Sequence, residues 1–133
     1  MTAESVWGRM RALVLDRYDV KAAACAALGM SFVRIKALRH IAAAPVTMRD
    51  LAGMLASDPP YVTLIVDDLT RRGLVTRSPN PADRRSRIVT ATPAGHAAAA
   101  RAGQILGEPP AALRALDDGE LATLDRILAR LSG

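Results

Sequence analysis

The stretch that most constrains this chain runs from Asp58 to Gly95, because its apolar periodicity changes twice there. Asp58 suits an N-cap, and Pro59 falls at the first helical position, where its missing N–H costs nothing. Val62, Ile65, Val66 and Leu69 then recur at helical spacing as far as Gly73, forming a stripe that needs a covering surface. At about 100° per residue the opposite side holds Pro60, Thr63, Leu64, Asp67 and Arg71, with Tyr61 and Asp68 on the flank. After Gly73 the period falls to two. LVTRS (74–78) and SRIVTAT (86–92) read as short strands joined by PNPADRR (79–85), a loop of turn formers and arginines. Thr92 caps the next helix with Pro93 at its first position, and Gly107 and Pro109-Pro110 stop it.

The segments on either side are helical. Over 4–28, Trp7, Met10, Val14, Tyr18, Ala22, Cys25 and Leu28 recur every three or four positions, and Gly29 serves as C-cap, which predicts one long amphipathic helix. Ser31 is expected to cap a second helix with Phe32, Ile35, Leu38 and Ile41 on one side, ending before AAAP at 42–45. Thr47 and Asp50 open a short third helix that turns Met48, Leu51 and Leu55 inward and ends near Ala56. The last helix begins near Asp117 and carries Leu121, Leu124, Ile127, Leu128 and Leu131. Helix, short turn, helix and basic-tipped hairpin is the order of a winged helix-turn-helix. The expected class is therefore mainly α with a small β-hairpin: one domain over 1–133, with a terminal helix at 1–30, a winged module at 31–92 and further helices at 93–133. The terminal stripes exceed what a module of roughly 60 residues can cover, and a helical dimer interface is the economical use for them.

Charge narrows the partner. Of 18 Lys plus Arg and 13 Asp plus Glu, residues 71–87 hold Arg71, Arg72, Arg77, Arg84, Arg85 and Arg87 against Asp83 alone. That segment carries the whole net charge of +5, and the remainder balances. A turn needs no arginine for its geometry, so the cluster points to an anionic partner, with a solvated hairpin tip as the plain alternative. The Arg71-Arg72 pair also suits the negative end of a helix dipole.

No catalytic constellation is present, so no enzyme activity, metal or cofactor is expected. The chain has no CxxC, HExxH or GxxxxGK[ST], and His40 and His96 stand far apart without a patterned partner. The single cysteine, Cys25, lies on an apolar stripe and reads as packing in preference to a redox sensor; Trp7 and Tyr18 read as interface packing. No run of about 18 apolar residues exists, so no membrane span is expected and the cytoplasm is the expected location.

The arrangement TMRDLAGML…VTLIVDDLTRRGLV followed by ADRRSRIVTATPAG resembles the MarR family of bacterial transcriptional regulators over residues of about 31 to 100. The specific part is the wing signature, an acid, any residue, an arginine and a strand ending in Thr-x-x-Gly, matched by Asp83, Arg85, Thr92 and Gly95. The resemblance implies a homodimer with interlocked terminal helices, acting on double-stranded DNA as a repressor at a pseudo-palindromic operator. It also implies that the fourth helix enters the major groove and the wing arginine the adjacent minor groove. Many members are released by small phenolic or lipophilic ligands or by cysteine oxidation. DNA contacts are accordingly expected from Asp58, Pro60, Tyr61, Thr63, Leu64, Arg71, Arg72, Arg77, Asp83, Arg84, Arg85 and Arg87. Asp83 is expected to orient the Arg85 side chain. An effector, if one acts, is expected between the terminal helices and the module, near Trp7, Met10, Phe32 and Leu38. The chain departs from the family in carrying Asn80 and Ala82 in the wing and Pro59 and Leu64 in the recognition helix, so base reading is expected to lean on thymine methyls and van der Waals fit. The alternative function is a winged-helix interaction module that binds a protein or RNA through its basic wing.

Overall fold

In the computed structural model, which describes residues 1–133, side-chain caps set most helix starts. Helix α4 (Met48–Leu55) begins where Thr47 accepts the Asp50 N–H, and α5 (Pro59–Arg71) where Asp58 accepts that of Tyr61. Helix α6 (Pro93–Gly107) begins where Thr92 accepts the Gly95 N–H, and α8 (Asp118–Leu131) carries a full capping box between Asp117 and Glu120. Gly29 and Gly73, at φ 66° and 74°, close the segments before them in the left-handed region.

The long first helix is the main correction. It divides into α1 (Ala3–Arg11), a π-helical stretch Ala12–Arg17, and α2 (Val20–Leu28). The Tyr18 N–H reaches back to the Leu13 carbonyl, and Asp19 turns its carboxylate to the Ala22 N–H, starting a new helix in place of continuing the old one. Ser31 precedes α3 (Phe32–Ala43) without capping it, because its hydroxyl receives the Arg34 guanidinium. Two further elements were not anticipated. Strand β1 (Val46–Thr47) pairs with β3 (Asp83–Ala91), and a four-residue helix α7 (Ala111–Arg114) follows Pro110.

Strands β2 (Val75–Asn80) and β3 are longer than the expected pair, and the sheet order is β1-β3-β2, antiparallel throughout. One core joins sheet to helices: Ile35, Leu38 and Ile41 of α3, Leu51 of α4, Val62, Ile65, Val66 and Leu69 of α5, and Val75 and Val89 of the hairpin are all essentially inaccessible. Burial of such side chains contributes roughly 1.5–3 kcal/mol apiece before entropy is counted. Ala99 and Ala102 line the buried face of α6, and small side chains there let α3 approach closely.

Thr92 and Gly95 fasten the hairpin to α6. Thr92 donates its hydroxyl to the Gly73 carbonyl at 2.7 Å and its N–H to the Leu74 carbonyl at 3.0 Å. A Cβ on Gly95 would collide with the Leu74 carbonyl oxygen, so only glycine fits where α6 passes the end of α5. The Thr-x-x-Gly spacing is thus a packing requirement at the base of the wing.

Outside this core the terminal helices stand bare. Neither α1 nor α8 contains a buried residue, and Trp7 is 60% exposed.

Candidate nucleic-acid interface

The outer face of α5 presents Pro60, Tyr61, Thr63, Leu64 and Arg71 to solvent, with Asp58 at its start. The Asp58 carboxylate accepts the Tyr61 N–H at 3.0 Å, and the Thr63 hydroxyl donates to the Pro59 carbonyl at 3.0 Å. The two acids in the middle of the helix are both paired. Asp67 meets Arg77 of β2 at 2.6 Å, so Arg77 braces the hairpin against α5.

Asp68 is the centre of a larger network. It holds Arg34 of α3 at 2.8 Å, Arg72 at 2.9 Å and Arg71 at 3.4 Å. The Arg72 hydrogen bond does most to hold the Asp68 carboxyl below the usual carboxylate range; desolvation opposes it and Arg34 adds to it. Arg72 also donates to the Gly29 carbonyl at 3.0 Å, and Arg34 to the Ser31 hydroxyl at 2.9 Å. Arg72, expected to face outward, is therefore committed inward: it ties the end of α5 to the α2–α3 elbow. Arg34 was not anticipated, since no local signal relates it to an acid 34 positions away in the chain.

The wing tip owes its shape to a register shift. From Val75↔Ala91 to Pro79↔Arg87 the strands pair regularly, but Asn80 pairs with Asp83. Arg84, Arg85 and Ser86 are thereby left as a bulge, and the connection tightens to Pro81 and Ala82. The Asn80 side chain accepts the Ala82 N–H at 3.0 Å, and Asp83 Oδ1 accepts the Arg85 N–H at 3.0 Å. Asp83 thus acts on the main chain of Arg85; the expected contact with its guanidinium is not made. Arg84, Arg85 and Arg87 are all exposed and form no ion pair. The arginines that brace α5, namely Arg34, Arg72 and Arg77, are paired with acids, while those on the tip are not.

The residues expected around an effector are not gathered in one place in a single chain. Leu38 lies in the core, Trp7 is exposed and Met10 half-buried. Phe32 lines a depression with Lys21, Lys36, Arg39 and His40, where the Lys21 ammonium lies 4.7 Å from the ring centre. A separate apolar groove of about 660 Å³ includes Leu13, Val14, Tyr18, Pro110, Leu113 and Leu124. No helix is long and apolar enough to cross a membrane.

Comparison with known proteins agrees with this architecture. The sequence model of the MarR family matches residues 28–86. No curated protein matches the chain significantly. Among solved structures, wild-type MarR from E. coli without ligand is 29% identical with a TM-score of 0.74, over 93% of this chain and 94% of that one. A cysteine mutant of E. coli MarR complexed with operator DNA is also 29% identical, with a TM-score of 0.65 over 93% of this chain and 91% of that one. A point mutant of MepR from S. aureus, only 18% identical, shares the fold with a TM-score of 0.84 over 98% of this chain and 96% of that one. The winged module thus matches the sequence model of the MarR family, and the fold is shared with MarR along nearly the whole chain.

Proposed function

We propose that this protein is a sequence-specific DNA-binding transcriptional regulator that acts as a homodimeric repressor on a pseudo-palindromic operator. The observation that carries the reading is the contrast in arginine pairing: Asp67 and Asp68 are neutralised on α5, whereas Arg84, Arg85 and Arg87 stand unpaired on the bulged tip of the hairpin. A duplex offers phosphates to such a tip and, in a narrow A·T-rich minor groove, a concentrated negative potential for an inserted guanidinium. The operator complex of the 29% identical MarR supports the same partner.

In this reading Asp58, Pro60, Tyr61, Thr63 and Leu64 face the major groove and Arg71 its phosphates, Arg85 enters the minor groove, and Arg84 and Arg87 take the flanking backbone. Arg72, Arg77 and Asp83 hold these groups in place. Residues 31–92 form the DNA-binding module, and 1–30 and 93–133 supply the dimer, with α1 and α8 as the faces that meet. Half-sites then lie about one helical turn apart. A small lipophilic or phenolic effector, bound where the terminal helices meet the module, releases the operator by changing the spacing of the two recognition helices.

The test is to select bound fragments from genomic DNA and titrate them with Arg85→Ala. The variant is expected to fold and to lose about 1–3 kcal/mol of operator binding, whereas Arg84→Ala weakens all duplexes alike and lowers the salt slope by about one unit. Unchanged operator binding by folded Arg85→Ala returns the tip to a solvated turn. Absence of any duplex preference favours the alternative, a module that binds RNA or an acidic protein surface.

A further inference from the structure

We infer that the recognition helix reads the 5-methyl groups of thymine, with Leu64 and Tyr61 as the reading side chains; the inference rests on the DNA-binding reading above. Apart from the Tyr61 hydroxyl and the Asp58 carboxylate, the exposed half of α5 has little hydrogen-bonding capacity left. Helix N-termini ordinarily present free N–H groups to phosphate, but here Pro59 and Pro60 have none. The Tyr61 N–H is taken by the Asp58 carboxylate and the Val62 N–H by the Asp58 carbonyl. Thr63 spends its hydroxyl proton on the Pro59 carbonyl. Asp67 and Asp68 are occupied by Arg77, Arg34 and Arg72.

Beyond the Tyr61 hydroxyl and the Asp58 carboxylate, what remains outward is apolar. Leu64 is 61% exposed and Tyr61 42%, with Pro60 beside them. No amide or guanidinium accompanies them on that half of the helix, so bidentate reading of adenine or guanine is out of reach. Arg71 lies on the same helix, and the hairpin that meets α5 through Asp67 and Arg77 carries unpaired arginines at its tip. The partner that fits is a polyanion bearing apolar groups on its accessible face. In the major groove of DNA the one such group is the thymine methyl. The half-sites should therefore place thymines, on either strand, under the first two turns of α5.

The test uses a selected operator duplex made with thymidine, and the same duplex with deoxyuridine at the major-groove positions facing α5, which removes the methyl groups alone. Wild-type protein is expected to bind the deoxyuridine duplex about fourfold more weakly for each methyl contacted. Leu64→Ala, altered at an exposed position, should bind the thymidine duplex correspondingly weakly and lose little more on deoxyuridine. Arg85→Ala should bind both duplexes less well but keep the wild-type ratio between them. Equal wild-type affinity for the two duplexes overturns the inference and leaves DNA binding standing. Failure to bind either duplex overturns the DNA-binding reading and the inference with it.

Discussion

Helices α5 and α8 carry equally regular apolar stripes, and their fates are opposite. In α5, Val62, Ile65, Val66 and Leu69 are at most 1% exposed; in α8, Leu121, Leu124, Ile127, Leu128 and Leu131 lie between 37% and 67%. The two stripes differ only in what is within reach. The winged module folds α3, α4 and the hairpin over α5, while no element of the chain closes over α8. An amphipathic pattern therefore states that a face is to be covered, but not which chain covers it.

That contrast can be broken most severely at α8. Leu124→Asp combined with Ile127→Asp would bury unpaired carboxylates in the proposed dimer interface, at a cost of about 4 kcal/mol or more in association. The expected product in sedimentation is a monomer whose winged module still melts cooperatively. A double variant that remains dimeric would mean that the bare stripe of α8 is not where two copies meet.

Gly95→Ala attacks the covered side. The added Cβ has no room against the Leu74 carbonyl, so the hairpin and α6 must part, with an expected loss of about 3 kcal/mol in denaturant melts. A melt at the wild-type midpoint would show that this junction yields more easily than its packing implies.

A smaller effect attaches to the Asp68 network. Its carboxyl is held below the usual carboxylate range in the folded state, so the stability it contributes is complete at neutral pH. That contribution is lost as pH falls below the usual range and through the lowered folded value. Asp68→Asn should lower the melting temperature slightly at pH 7 and make no difference once the wild-type carboxylate is protonated. A difference between the two proteins that persists at the acid end would assign the loss to altered packing.

The smallest expected change is at the wing tip, where Asp83→Ala should alter stability by no more than about 0.5 kcal/mol. Because Asp83 holds only the Arg85 main chain, operator titration should show a weaker defect than Arg85→Ala. Equal defects would give Asp83 a direct part in binding.

The limits of α4, α5 and α6, the start of α8 and the existence, though not the length, of the hairpin were legible in the amino-acid order, because a cap, a proline or a left-handed glycine acts within about four residues of itself. The winged-helix order and the concentration of arginine between 71 and 87 were legible for the same reason: each lies in a continuous stretch of chain. What tertiary structure alone decided is non-local. Strand β1 exists only because β3 passes beside Val46, and the bulge that leaves Arg84 and Arg85 outside the ladder depends on which residues of β2 face them. Arg72 turns inward because the Gly29 carbonyl and Asp68 wait there, and Arg34 joins them across the fold. Even the break at Tyr18 and Asp19 pits one side-chain cap against continuation of a helix, a contest that periodicity does not register. Periodicity records which face of an element is apolar; which charges meet and which strands align depends on distances set only once the core has closed.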